Sequence, residues 1–357
     1  MSISSFMQLR QRGLLSLALI SPLVSAYPAL AQTPSNPLSS VPIQEGVKLP
    51  HYENPRIGDL ALELALPQAD GTLWNSRDEL GQRSVVLVMF GASPVLVGKN
   101  LTPQKVLSDI ARAASQLKGR GVTVVTVSQT QGISLKGLDA GFDALSLQDD
   151  SGALAKAFNI SPTATTLISI DRAGFLRSVE TVTDPAAVST RLALQSDLTP
   201  AMEEGRVAPD FMMSDMRGQV RRLSELRGRK NLLLTFFPKC FTGGCANHLT
   251  ALQGEREAFA AADVEIWAVS IDPAAGERGQ IAFAESLGLD FPLFPDEGRN
   301  LSLLFGAARK PYSTPWRRTY LIDKNGVLRF VDKNINVFTH GADMLAKIKE
   351  LGLDKAK

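Results

Sequence analysis

The chain of 357 residues carries 38 Lys and Arg against 36 Asp and Glu, and it is 44% hydrophobic and 21% charged. That balance excludes a disordered chain, a collagen-like repeat and a multi-span membrane protein, and it leaves no basic footprint for nucleic acid. Three His and two Cys exclude a disulfide scaffold, a zinc ribbon and an iron–sulfur site; the two cysteines are either inert core residues or the chemistry itself.

The first segment reads as an address. Arg10 and Arg12 precede an uncharged apolar run of 14 residues from Gly13 to Ala26, too short for an ordinary membrane span. Ala29-Leu30-Ala31 fits the small-residue rule for signal cleavage, so residues 1–31 are expected to be a secretory signal cut after Ala31, with Ala26 as the second choice. The alternative, a retained anchor, is opposed by Pro22 and Pro28; no Cys lies near the cut, which excludes a lipid anchor there. The 38 basic residues less these two arginines leave 36 against 36 acidic ones, a neutral mature chain. The expected location is periplasmic or secreted, where a Cys pair can oxidise. Residues 32–54, with Pro34, Pro37, Pro42 and Pro50, read as a Pro- and Ser-rich linker.

The remainder repeats itself. Gly71, Gly81 and Phe90 match Gly218, Gly228 and Phe237 at an offset of 147, as Leu154 and Phe158 match Leu301 and Phe305. Asp171 then matches Asp323 at an offset of 152, after "RKPYSTPWRR" enters the second copy. Two copies of one domain are expected, 55–197 and 205–354. In the second, Leu232–Phe237 is an apolar run of buried-strand length. Asn247–Ala262 suits a helix, Val264–Ile271 a strand and Ile281–Leu287 a helix. Tyr320–Asp323 and Val327–Val331 flank Lys324-Asn325-Gly326 as a hairpin, and "GADMLAKIKELG" closes as a helix. Crossovers demand parallel neighbours and the hairpin adds antiparallel strands. The expected fold class is α/β, two tandem thioredoxin-like domains, each a mixed central sheet with helices on both faces.

Both cysteines fall in one stretch, Pro238-Lys239-Cys240-Phe241-Thr242-Gly243-Gly244-Cys245, between a strand and a helix. Cys245 is therefore expected at a helix N-terminus, where unpaired N–H groups and the dipole stabilise an anion, the condition for a reactive thiolate. Thr242, three residues earlier, can bring its hydroxyl to the same spot. Pro238 removes a donor and stiffens the loop.

Pro238-x-x-x-Thr242-x-x-Cys245 resembles the active-site signature of the peroxiredoxin family, and "VAPDF" (207–211), "LSELRGRKNLLLTFFPK", "FPLFPDEGRNLSLLFG" and "RRTYLIDKNGVLRFV" resemble its other blocks. The likeness covers about 205–354 and is nearest to the AhpC/TSA group and its bacterioferritin-comigratory, PrxQ-like branch. It implies a thiol peroxidase acting on hydrogen peroxide or organic hydroperoxides, with Cys245 as the peroxidatic residue that becomes a sulfenic acid. Thr242 is implied to hydrogen-bond thiolate and peroxide, Pro238 to shield the site, and Arg317 to supply the fixed cation, with Arg318 as the register alternative. A thiol electron donor, thioredoxin-like or small, is the implied partner. No cofactor or metal is called for.

The second cysteine departs from that pattern. The family's PrxQ-like members often place a resolving Cys five residues after the first; here that position is Thr250, and Cys240 lies five residues before. Resolution by Cys240 through an intramolecular disulfide is expected, provided the loop curls or the helix's first turn unwinds. A one-Cys mechanism with an external thiol is the alternative. His248, where related proteins often carry Glu, is expected at the rim of the site. With Cys240 and Cys245 it also permits a copper-binding reading, while His340 lies in the wrong block for one. In the first copy Cys245, Cys240, Thr242, Pro238 and Arg317 map to Gly98, Ser93, Val95, Gly91 and Thr165. That copy has no thiol chemistry. Its expected roles are packing against the second copy, forming a homodimer or docking a reductant, and a non-catalytic binding or assembly module is the rival reading for the whole chain.

Overall fold

Buried strands form where apolar residues predominate, and two such runs found the architecture. In the computed structural model Ser84–Phe90 and Asn231–Phe236 are strands buried at every residue, as central strands covered on both faces must be. The structure describes residues 56–61, 64–67, 72–91, 103–128, 144–149, 152–160, 164–195 and 202–354; the expected signal and linker lie outside them.

The N-terminal half contains β1 (Ala65–Pro67), β2 (Leu73–Asn75), β3 (Ser84–Phe90), α1 (Pro103–Lys118), β4 (Val122–Ser128), β5 (Ala144–Gln148), α2 (Ala153–Ala157), β6 (Thr165–Ile170), β7 (Leu176–Val182) and α3 (Pro185–Ala193). The C-terminal half contains β8 (Met212–Ser214), β9 (Val220–Arg222), β10 (Asn231–Phe236), α4 (Gly243–Gly254), α5 (Arg256–Ala261) and β11 (Val264–Ser270). It continues with α6 (Gln280–Leu287), β12 (Leu293–Pro295), α7 (Asn300–Leu304), β13 (Arg318–Ile322), β14 (Leu328–Asp332) and α8 (His340–Glu350). The two five-stranded sheets share one topology, β5-β4-β3-β6-β7 and β12-β11-β10-β13-β14. In each, the first three neighbours pair in parallel and the last two joints are antiparallel. This is the mixed, helix-flanked sheet of a thioredoxin-like fold, present twice.

Two expectations shift. The helix anticipated at Asn247 starts at Gly243, since a Gly-Gly pair lowers helix propensity without forbidding the first turn, and it is broken at Glu255 into α4 and α5. "VAPDF", where the resemblance implies an entry strand, makes only an isolated bridge from Val207 to Val327, and its neighbour Met212–Ser214 forms the strand instead. The short β12 and α7 are additional. Among the described residues no helix is long and apolar enough to cross a membrane.

Strand alternation sorts the second sheet's side chains. Leu232, Leu234 and Phe236 of β10 join Phe211, Trp267, Phe305 and Tyr320 on one face. Leu233 and Phe237 join Cys245, Leu249, Phe283 and Ile348 on the other, beneath α4 and α8. Thr235, between Leu234 and Phe236, has the parity of the second set.

The two halves share a core: Leu60, Ala173 and Phe175 of the first pack in the same cluster as Phe211, Leu223 and Phe305 of the second. Met212 N–H donates to Gly58 C=O at 3.0 Å, and Asn300 Nδ2 donates to Ala173 C=O at 2.7 Å. Gly174 has φ +87°, and a Cβ there would sit 2.8 Å from Asn300 Nδ2, so both conformation and space require glycine. Arg222 bridges the halves through Ile57 C=O at 2.9 Å, Asp210 at 3.1 Å and Asp59. Packing is thus a realised role of the N-terminal half.

Candidate active site

The chain leaves β10 at Phe236, bends at the half-buried Pro238, and reverses through Phe241, whose φ of +54° is left-handed. That conformation is strained for an aromatic residue; the ring is held against Phe283 with centroids 5.0 Å apart. Thr242 is the N-cap of α4 with extended φ and ψ of −112° and 138°. Its carbonyl accepts from Cys245 N–H at 3.0 Å and Ala246 N–H at 2.9 Å. Its hydroxyl does not cap the helix but donates to Lys239 C=O at 3.1 Å.

Cys245 therefore sits in the first turn of α4, 1% exposed. Arg317 reaches it from the other side: Nη2 donates to Cys245 Sγ at 3.2 Å, and Nη1 donates to His248 Nδ1 at 2.9 Å. Two parallel donors on one planar group fix the guanidinium. The register alternative is resolved by alternation. Arg317 has the parity of Thr319 and Leu321, on the α4 face, whereas Arg318 turns to the opposite side and donates to Gly306 C=O at 2.9 Å. Gly244 lies beside this contact: a Cβ there would stand 3.6 Å from Arg317 Nη2, an ordinary van der Waals distance.

Cys240 and Cys245 are both free thiols and both buried. Cys240 is held in place by its N–H donating to Asp272 Oδ2 at 2.8 Å, with its sulfur 3.8 Å from Ser270 Oγ. Burial, reinforced by the negative charge of Asp272, pushes the Cys240 thiol up against a small opposing effect of Ser270. As held here Cys240 is a thiol, not a thiolate.

His248 is the main correction. It is fully buried, not at a rim, because α4 starts one turn earlier than expected and carries position 248 onto the sheet. Burial first, then His340 and Arg317, hold its pKa well below the usual imidazole value. Its Nδ1 receives Arg317 and its Nε2 lies 3.4 Å from Thr235 Oγ1. Both ring nitrogens are thus engaged within the protein. His340 also belongs here: its ring is 4.8 Å from that of His248. Sequence spacing hides this contact, since α8 follows the hairpin and only the helix–helix packing brings the two rings together. In the first half Gly91 and Thr165 are described and lie at the ends of β3 and β6; Ser93, Val95 and Gly98 lie outside the described residues.

The AhpC/TSA family model matches residues 205–331. Peroxiredoxin Q, chloroplastic, of Triticum aestivum is 33% identical over 134 residues, which are 37% of this chain and 60% of that protein; the chain thus spans less than two thirds of that relative. Alkyl hydroperoxide reductase E of Mycobacterium bovis is 32% identical over 130 residues, 36% of this chain and 83% of that protein. Among solved structures, peroxidoxin BcpB from Mycobacterium tuberculosis aligns with a TM-score of 0.39 and 27% identity, over 42% of this chain and 99% of the other. With four fifths of a relative above 30% identity covered by the chain, and the family model lying over the half that carries Cys245 and Arg317, the chain belongs to the AhpC/TSA family of peroxiredoxins.

Proposed function

We propose that the protein is an exported thiol peroxidase that reduces hydrogen peroxide or organic hydroperoxides with electrons from an external thiol. The observation that carries this reading is the Arg317 guanidinium 3.2 Å from Cys245 Sγ at the N-terminus of α4. A cation and a helix N-terminus converge on one sulfur, the place where negative charge must be held as the peroxide reacts.

The Cys245 thiolate attacks the terminal peroxide oxygen. An S–O bond forms, the O–O bond breaks, and the electron pair leaves on the alkoxide or hydroxide, which takes up a proton to become alcohol or water. Sulfur is oxidised by two electrons to the sulfenic acid. Arg317 holds the thiolate and stabilises the charge that develops on the peroxide oxygens. The Thr242 hydroxyl has its proton on Lys239 C=O, so its lone pairs accept from the peroxide O–H. Pro238, which lacks an N–H, screens the sulfur.

Resolution by Cys240 then forms an S–S bond with loss of water, and an external dithiol reduces the disulfide while itself becoming one. Release of Cys240 from Asp272 must precede that step, because burial and the Asp272 charge keep it protonated. The same observation supports a second reading, in which an external thiol attacks the sulfenic acid directly. One equivalent of peroxide followed by one equivalent of a small external monothiol and mass mapping separates them: a Cys240–Cys245 linkage supports the first, and a mixed disulfide on Cys245 alone the second. Peroxide consumption that survives Cys245→Ser would overturn the peroxidase reading altogether. Export is proposed from the Arg10–Ala31 segment, and N-terminal sequencing of the exported form should begin at Gln32.

A further inference from the structure

Beyond the atoms that touch the thiol, a file of buried polar groups runs from His248 under the sheet to α8. Arg317 has donors only, so its 2.9 Å contact makes His248 Nδ1 an acceptor. The neutral ring then carries its proton on Nε2, which faces Thr235 Oγ1 at 3.4 Å. Thr235 has one proton to place. Thr319 Oγ1 at 2.7 Å is much nearer than Arg318 C=O at 3.4 Å, so the proton goes to Thr319. Thr319 in turn donates to His340 Nε2 at 2.9 Å. The His340 proton therefore lies on Nδ1, which makes no hydrogen bond and stands 3.6 Å from Asp332 Oδ2, where the file ends. Each joint has one donor and one acceptor, so the file runs in one direction.

We propose that His340 is a positioning residue of the thiol site: by accepting from Thr319 it sets the direction of this file, and through Thr235 the file holds His248 in the tautomer that receives Arg317. The inference rests on the reading of Cys245 and Arg317 as the reactive pair. Reversal shows what is at stake. Were His340 to donate from Nε2, Thr319 would turn its proton to Thr235, whose own proton would go to Arg318 C=O or to His248 Nε2, both 3.4 Å away, and in the second case His248 would accept on Nε2. Its own proton would then sit on Nδ1, donor against the donor Nη1 of Arg317, and the guanidinium would lose the second anchor that holds Nη2 on the sulfur. Because the file is neutral, it also leaves the full charge of Arg317 to the thiol. The groups that bias His340 come from every side: Asp332 of β14, Asp343 of its own helix, Arg317 ahead of β13 and the His248 ring of α4.

The test uses the full chain and two readouts, ring nitrogen-15 spectra of the histidines and the mass-resolved rate of Cys245 alkylation by iodoacetamide. Thr319→Val cuts the file with a near-isosteric side chain, and His340→Phe removes its terminal acceptor. Both should slow alkylation about threefold to tenfold, the loss of one buried hydrogen bond, and should move His248 protonation toward Nδ1. His340→Gln, whose Oε1 can accept from Thr319, should keep the rate within about twofold of wild type. A folded Thr319→Val protein with unchanged alkylation and His248 protonated only on Nε2 would overturn the proposal, whatever His340→Phe does to folding. Neither readout needs peroxide, so an absence of peroxidase turnover in the wild type would sink the functional reading and leave this one to be decided by the spectra.

Discussion

Arg317 does two things at once, and only a planar fork can do both: Nη2 meets Cys245 Sγ and Nη1 meets His248 Nδ1. Lys keeps the charge but presents one point donor. Arg317→Lys should therefore keep the fold while lowering kcat/KM for peroxide by about 100-fold, the usual loss when a positioned donor at developing charge is removed; a loss below about threefold would show that charge alone suffices. At this scale the site was largely legible beforehand. Cys245 at a helix start is read from the residues themselves, whereas the roles of Thr242 and Pro238 and the choice of Arg317 or Arg318 come from the resemblance to the peroxiredoxin family. The parts of His248 and His340 come from neither, because a buried acceptor is defined by what packs against it, and no spacing rule connects α4 to α8.

The elements act by placing these atoms. The close approach of α4 and α8 is set by Gly341, where a Cβ would lie 2.1 Å from Ala251 C=O. Gly341→Ala must push the helices apart. It should lower stability by about 1–3 kcal/mol, measured as urea unfolding, and slow Cys245 alkylation by moving His340 off Thr319. Unchanged stability would mean that the helices separate freely. Element boundaries were the weakest part of the sequence reading. Helix periodicity marks Leu249 and Leu252 as buried, and they are, but it says nothing about the Gly243-Gly244 start that carries Cys245 into the first turn. There the cap geometry of Thr242, not propensity, decides.

At the scale of the molecule two consequences follow. Arg222 is buried between Asp59 and Asp210 at the junction of the halves. Removing one partner of a buried ion cluster leaves charges unpaired, so Arg222→Met should destabilise by about 3–5 kcal/mol in thermal unfolding, with both halves affected together; separate transitions would show that the shared core does not couple them. The second consequence concerns acid. Burial pushes His340 down from 6.5 to about 4, with Arg317 adding and Asp332 and Asp343 opposing. The unfolded chain takes up that proton first, so the contribution is present above about pH 6.5 and is lost as pH falls toward about 4. His248 shifts in the same direction. Asp296, raised by burial to about 6, runs the opposite way, so the comparison must be with His340→Gln. Between about pH 7 and pH 4.5 the wild type should lose about 2 kcal/mol more than that variant, and equal losses would refute the assignment.

The amino-acid sequence by itself determined the fold class, the repeat and the reactive loop. These rest on local facts: largely apolar runs make buried strands, a shared offset makes two copies, and a proline, a threonine and a cysteine at fixed spacing straddle one strand-to-helix turn. Tertiary structure decided which arginine faces the sulfur, that the N-terminal half shares a core with the active one, and that His248 and His340 lie in one file. Those are contacts between elements distant in the chain. They depend on strand parity, on the start of α4 and on a glycine-sized gap between two helices, and such distances come into being only when the sheet and its helices close on one another.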